Sequence, residues 1–264
     1  MAPQYQNLLP YQGVPQTMEQ RDDKGNLVIK AAYVDLGAWH GFHLPDQADY
    51  YGSFTGPLFI AQEYSLHLSD AIARFALIDA NTGEQRIFAE ATDKAMFSRP
   101  DGLYQVYRWD DVSVNLQLTY ADNRTAIVTT EVKNTSEHPQ QWQFVWQGQP
   151  FTSHPDVANY RLIQQRSMTH NAIRWQLTPI MSAWQIQLSD AEFEIWFDTD
   201  IHITEQANAG YRAMSSPTTL APHQAVTLRQ AHRYFHTQAE RITHQPPNWQ
   251  ALSKQLEANQ HRWQ

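Results

Sequence analysis

Trp39, His40, Phe42 and His43 lie together in the stretch VDLGAWHGFHLPD, residues 34–46. Two imidazoles at H-x-x-H spacing would face one metal ion if they shared a helical turn, but Gly37, Gly41 and Pro45 disfavour a helix there. Zinc also asks for a third protein ligand, and Asp35 or Asp46 supplies one only if the segment folds back on itself. Neutral His and Trp can instead hydrogen-bond to a sugar and stack on it without a metal. An ordinary structural loop is the third reading, and the residues alone leave all three open.

Other candidate sites are weaker. Asp79-Ala80-Asn81-Thr82-Gly83-Glu84 places oxygen-bearing side chains before a glycine as a calcium loop does, but it has no bidentate Glu at the required offset. A β-turn accounts for it, and a solvated turn or strand end accounts for Asp22-Asp23-Lys24-Gly25-Asn26 and for Asp198 with Asp200. No Ser sits in a G-x-S-x-G elbow, and no glycines are spaced to cradle phosphate. Carboxylate pairs for glycosidic acid/base chemistry are defined by spatial separation, so sequence cannot select them. No residue is therefore given a catalytic role, and no metal or cofactor is expected.

These side chains must be held by strands. From about residue 58 to 235 apolar and polar residues alternate in short runs, the period-two pattern of half-buried β-structure. Val112, Val114, Leu116, Leu118 and Tyr120 form one such row. Others are Trp142, Phe144 and Trp146, then Ile173, Trp175 and Leu177, then Trp184, Ile186 and Leu188, then Phe193, Ile195 and Phe197. Turn signals separate the runs at Asn81-Thr82-Gly83, Pro100-Asp101-Gly102, Ala121-Asp122-Asn123 and Ser215-Ser216-Pro217. Helix-period segments are nearly absent here, which predicts an all-β fold, a large antiparallel β-sandwich, over a parallel βαβ sheet. Nine tryptophans include candidates for a sugar platform, but at alternating strand positions they read first as core.

Bulk composition agrees with one large core. The 264 residues are 42% hydrophobic and 12% aromatic, enough to bury roughly 70–75% of the unfolded surface. A net charge of -8 without a Lys/Arg cluster argues against nucleic acid as a partner. Only 17% of residues are charged while Gln makes up about one in nine, a polar surface suited to neutral hydroxyl-rich ligands. The lack of Cys removes disulfides and thiolate chemistry, and no apolar run of about 18 residues marks a membrane span. Near the end, Asn248 stands as a helix cap before Trp249, Leu252, Leu256 and Trp263, four large apolar groups along one helical stripe. That helix either folds back on the sandwich or packs against something beyond residue 264.

Val34-Asp35-Leu36-Gly37-Ala38-Trp39-His40-Gly41, then Leu44-Pro45-Asp46, Gly56-Pro57-Leu58 and Glu63-Tyr64, resemble the start of bacterial glycoside hydrolase family 63 proteins. Those proteins are similar to the processing α-glucosidases that trim glucose from oligosaccharides. Asn259-Gln260-His261-Arg262-Trp263 resembles the helix that leads into the family's catalytic domain. The resemblance implies a galactose-mutarotase-like β-supersandwich over residues 1–236, then a linker and amphipathic helix over 237–264. An (α/α)6 barrel, in cis or in trans, would carry the acid and base of an inverting α-glucosidase-like reaction. No residue of this chain matches a catalytic motif, so the implied role is support or walling of that barrel's sugar pocket. Trp39, His40, Phe42 and His43 would then line substrate, an oligosaccharide, or the domain interface. Two other classes stay open: a stand-alone carbohydrate-binding or protein-interaction module, and a mutarotase-like epimerase using His40 or His43 with a Glu. The expected location is periplasmic or extracytoplasmic, with any signal peptide absent from this chain.

Overall fold

A computed structural model describes residues 6–21, 23–25, 27–29, 31–60, 66–153, 161–178 and 190–263. The run Trp184, Ile186 and Leu188 lies outside the described residues, as do Asp22, Asn26, Glu63 and Tyr64. The strands in chain order begin with β1 (Glu19–Arg21), β2 (Leu27–Ile29), β3 (His40–His43), β4 (Thr55–Phe59), β5 (Leu66–His67) and β6 (Arg74–Asp79). They continue with β7 (Asp93–Arg99), β8 (Gly102–Arg108), β9 (Val112–Tyr120), β10 (Thr125–Asn134), β11 (Gln140–Gly148) and β12 (Ile163–Thr169). The last are β13 (Ala172–Leu177), β14 (Glu192–Phe197), β15 (Ile201–Glu205), β16 (Tyr211–Ser215), β17 (Thr218–Leu220) and β18 (Ala225–Phe235). Two helices follow, α1 (Gln238–Ile242) and α2 (Trp249–His261).

Eight of these strands form one antiparallel sheet in the order β12-β13-β14-β18-β10-β9-β8-β7. A five-stranded sheet runs β15-β16-β11-β17 with β6 also paired to β11, and β3-β4-β5 make a smaller third sheet. Alternation dictates which side chains meet between them. Val112, Val114, Leu116, Leu118 and Tyr120 all point inward from β9, and Trp142, Phe144 and Trp146 do so from β11. Across the gap Trp146 meets Phe197 with ring centroids 5.3 Å apart, and Trp175 meets Tyr211 at 5.7 Å. The small sheet closes the rest of the large sheet's inner face, with Phe59 4.7 Å from Tyr234 and 5.9 Å from Phe193. The protein is therefore an all-β antiparallel sandwich, and each of these large apolar groups contributes roughly 1.5–3 kcal/mol by leaving water.

The sequence turns fall between strands. Asp79 Oδ1 accepts the amides of Asn81 and Thr82 at 2.8 and 3.2 Å, and Gly83 takes φ +76°, so the calcium-like string is a side-chain-braced β-turn. Asp198 accepts the Arg229 amide at 2.7 Å at the end of β14, again a strand-end role.

The two helices pack on the outer face of the large sheet. Asn248 caps α2 by accepting the Ala251 amide at 3.0 Å, as its position in the sequence predicts. Leu252 is buried against Ala121, Ile127 and Ala231, with Trp196, Trp249 and Leu256 around it. Asn259 fixes the far end by donating to the carbonyls of Tyr120 and Ala121, both at 3.0 Å. The stripe is shorter than its spacing suggests, because α2 ends at His261 and Trp263, half exposed, lies beyond it.

Candidate functional site

Asp35-Leu36-Gly37-Ala38 is a tight turn with two successive residues in the left-handed region, Leu36 at φ +55° and Gly37 at φ +70°. The Ala38 amide closes it on the Asp35 carbonyl at 3.0 Å, while Asp35 Oδ1 accepts the Leu36 amide at 2.7 Å. Glycine at 37 answers a dihedral demand. Gly41 answers a different one, because a Cβ there would stand 2.8 Å from the Ala32 Cβ and 2.9 Å from Val34 Cγ1. It lets β3 pass close to residues 32–34, so the stretch after the turn is a strand and not the open loop that its glycines suggest. The closing Leu-Pro-Asp ties down the N-terminal arm: Leu44 exchanges backbone bonds with Tyr11 and Gly13, and Thr17 Oγ1 donates to Asp46 Oδ2 at 2.8 Å.

Of the four side chains singled out by sequence, three are interior. His40, Phe42 and His43 are 0, 0 and 1% exposed, while Trp39 is 45% exposed. His40 packs among Tyr120, Tyr234 and Phe193 at ring separations of 5.4, 6.1 and 6.3 Å, and Tyr120 donates to its carbonyl at 2.5 Å. His43 packs elsewhere, against His67 at 5.6 Å, with Nδ1 3.2 Å from the Ala31 carbonyl. The two imidazoles thus belong to separate environments. Among the described residues no three His, Asp or Glu side chains gather as a metal site requires.

Burial sets the electrostatics of these rings. It lowers the His40 pKa to about 3, outweighing a contact with the His232 main chain that acts the other way. His232, which meets Phe42 and Phe193 at 5.6 and 5.9 Å, is lowered to about 3 by its own burial and by His40. Burial likewise lowers His67 to about 4. All three rings are neutral at ordinary pH, His40 and His232 in the core and His67 half-buried at its edge.

The accessible part of the region is apolar. Leu8, Leu9, Val34 and Trp263 are exposed and border a surface groove of about 280 Å³ that also takes in Tyr33 and Arg99. Asp35 pins this edge to the C-terminal segment through an ion pair with Arg262 at 2.5 Å. One segment therefore joins the N-terminal arm, the sandwich interior and the end of α2.

A polar cluster that sequence reasoning missed lies on the outer face beneath α1. Glu194, fully buried, accepts from Arg174 at 3.1 Å, Arg233 at 2.9 Å and Arg241 at 2.8 Å. Glu192 sits beside it, its carboxyl pKa raised by burial against the pull of Arg174 and Arg241. The outward register of β14, opposite to the Phe193, Ile195 and Phe197 row, is the sequence signal that places both carboxylates on one face. The cluster straps α1 to the sheet.

Fold and site together define an all-β sandwich domain with a filled aromatic interior and two helices folded onto its outer face. The family model described as "Glucosidase YgjK, N-terminal" matches residues 11–264, and the chain belongs to that family. Among solved structures, a putative kojibiose phosphorylase from human microbiome is 7% identical over 91% of this chain and 33% of its own, with a TM-score of 0.48. A putative aldose 1-epimerase from Escherichia coli K12 is 11% identical over 71% of this chain and 94% of its own, with a TM-score of 0.40. A galactose mutarotase related enzyme from Lactobacillus acidophilus is 8% identical over 78% of this chain and 97% of its own, at 0.46. This chain spans about a third of the length of the phosphorylase and 31% of a similar polysaccharide lyase.

Proposed function

We propose that this chain is the non-catalytic N-terminal sandwich of a glycoside hydrolase family 63-type, inverting, α-glucosidase-like enzyme. It would support an (α/α)6 catalytic barrel, in cis or in trans, and wall that barrel's sugar pocket. Membership in a glucosidase N-terminal family across residues 11–264 carries the reading. Within it, Trp39 supplies contact surface, while His40, Phe42 and His43 hold the strand behind it from the core. Residues 237–264 act as the linker and helix, keyed to the sandwich by Asn259 and by the Arg262–Asp35 pair. The epimerase alternative is less well supported, because it needs His40 or His43 to reach a sugar and both rings are buried.

Glucose release from α-glucosidic disaccharides tests the reading. The purified chain is expected to match the buffer blank, and adding a separately produced catalytic barrel is expected to give hydrolysis that Trp39→Ala weakens. Enzyme-like glucose release by this chain alone would overturn the assignment of the chemistry to the barrel.

A further inference from the structure

A second cavity, of about 560 Å³, lies away from the 34–46 segment, and its lining includes Tyr50, Asp70, Arg74, Gln147, Phe151 and Arg212. Sheet register builds its floor. Gln147 on β11 is directly opposite Arg74 on β6 and Arg212 on β16, so the three stand in one row across the five-stranded sheet. With strands about 4.8 Å apart, that row spans about 10 Å.

A glycine builds the wall. A Cβ at Gly148 would fall 1.7 Å from the Ile72 carbonyl oxygen, so only glycine lets the segment before β6 press against the end of β11. Ser69 Oγ donates to the Gln149 carbonyl at 2.6 Å and the Phe151 amide donates to Leu68 at 2.7 Å, which fixes that segment in place. Asp70 is held by Gln16 Nε2 at 2.9 Å and by a hydrogen bond with Tyr50, and Arg74 is braced on the Asp49 carbonyl at 2.7 Å. Arg212 Nε is buried and has no hydrogen-bond partner among the described residues.

The polar groups select a ligand class. Two guanidinium groups only donate, one carboxylate only accepts, and several side-chain amides and hydroxyls, Gln147, Gln206 and Tyr50 among them, do both. Arg74 and Arg212 would repel a cation, and Asp70 offsets one of their two charges, so most of the recognition falls to uncharged hydrogen-bonding groups. A neutral hydroxyl both donates and accepts, so a polyol satisfies both kinds of partner. Tyr50 and Phe151 add ring surface for sugar C–H faces, and the volume falls in the usual range of roughly 300–1,000 Å³ for ligand sites.

We propose that this cavity is a binding site for a short neutral oligosaccharide, carried by the sandwich itself. The inference does not rest on a catalytic barrel, and its test reads binding where the test above reads hydrolysis.

Calorimetry and saturation-transfer NMR of the full 264-residue chain test it, with neutral gluco-, manno- and galacto-trisaccharides set against trigalacturonate and a glucosamine trimer. At least one neutral trisaccharide is expected to saturate at concentrations up to about 20 mM and to bind at least about tenfold more tightly than either charged probe. Asp70→Ala and Gln147→Ala should each weaken it by about tenfold, the loss of one hydrogen bond to a charged or amide group, with thermal unfolding confirming a folded chain. If one variant fails to fold, the other carries the comparison. No saturation by any neutral probe, equal or tighter binding of a charged one, or neutral binding indifferent to both substitutions would overturn the proposal.

Discussion

Acidifying the protein from about pH 8 to about pH 5 tests the claim that its aromatic interior holds neutral imidazoles. An unfolded imidazole takes up its proton near 6.5, whereas in the fold burial holds His40 and His232 near 3 and His67 near 4. Below 6.5 the unfolded chain therefore binds protons that the folded chain refuses, and stability falls with pH until the folded values are reached. At about pH 5 the difference is about 1.5 pH units, or about 2 kcal/mol per ring and about 6 kcal/mol for the three. Glu192 and Asp198 work in the opposite sense, because burial raises their carboxyl pKa values, and they offset part of the loss toward the acid end. Set against a total stability of about 5–15 kcal/mol, the effect is large. Urea unfolding followed by Trp fluorescence across this range measures it directly. His232→Phe, placed between Phe42 and Phe193, should remove about 2 kcal/mol of the pH dependence while leaving the fold intact. A stability change below about 1 kcal/mol over the same range, or NMR titration of the three rings near 6.5, would refute the reasoning.

The remaining expectations concern single contacts. Glu194→Ala leaves Arg174, Arg233 and Arg241 without their shared acceptor and should cost about 3–5 kcal/mol in denaturant unfolding, with a loss below about 1 kcal/mol counting against the strap. Gly148→Ala drives a methyl into the Ile72 carbonyl and should prevent recovery of soluble folded protein, so a native-like melting curve would show that the wall can move aside.

The interior rows were legible because period two assigns inward and outward faces residue by residue. Val112 through Tyr120, Trp142 with Trp146, and Phe193 with Phe197 point inward as their alternation requires. Asn248 was legible for a similarly local reason, since a cap is a relation within a few residues. Gly41 misleads because one residue type serves two purposes. Glycine punctuates a turn at 37 and permits close strand passage at 41, and only the neighbours at Ala32 and Val34 distinguish them. For that reason His40, Phe42 and His43 read as loop residues although they are core.

The two polar assemblies were hidden for a different reason. Arg74, Gln147 and Arg212 are far apart in the chain, and nothing in their local spacing announces that strand pairing sets them in one row. Glu194 and its three arginines are joined by the same means, through the registers of β13, β14 and β18 and the return of α1. Alternation thus tells which face a polar residue occupies, while register tells which polar residues share a place on it. A one-residue slip of β6 or β16 against β11 would keep the hydrophobic composition unchanged yet send Arg74 or Arg212 to the opposite face. The cavity therefore depends on the same inward row, Phe75, Trp146 and Ala213, that fills the core, because those side chains fix the register that places the arginines.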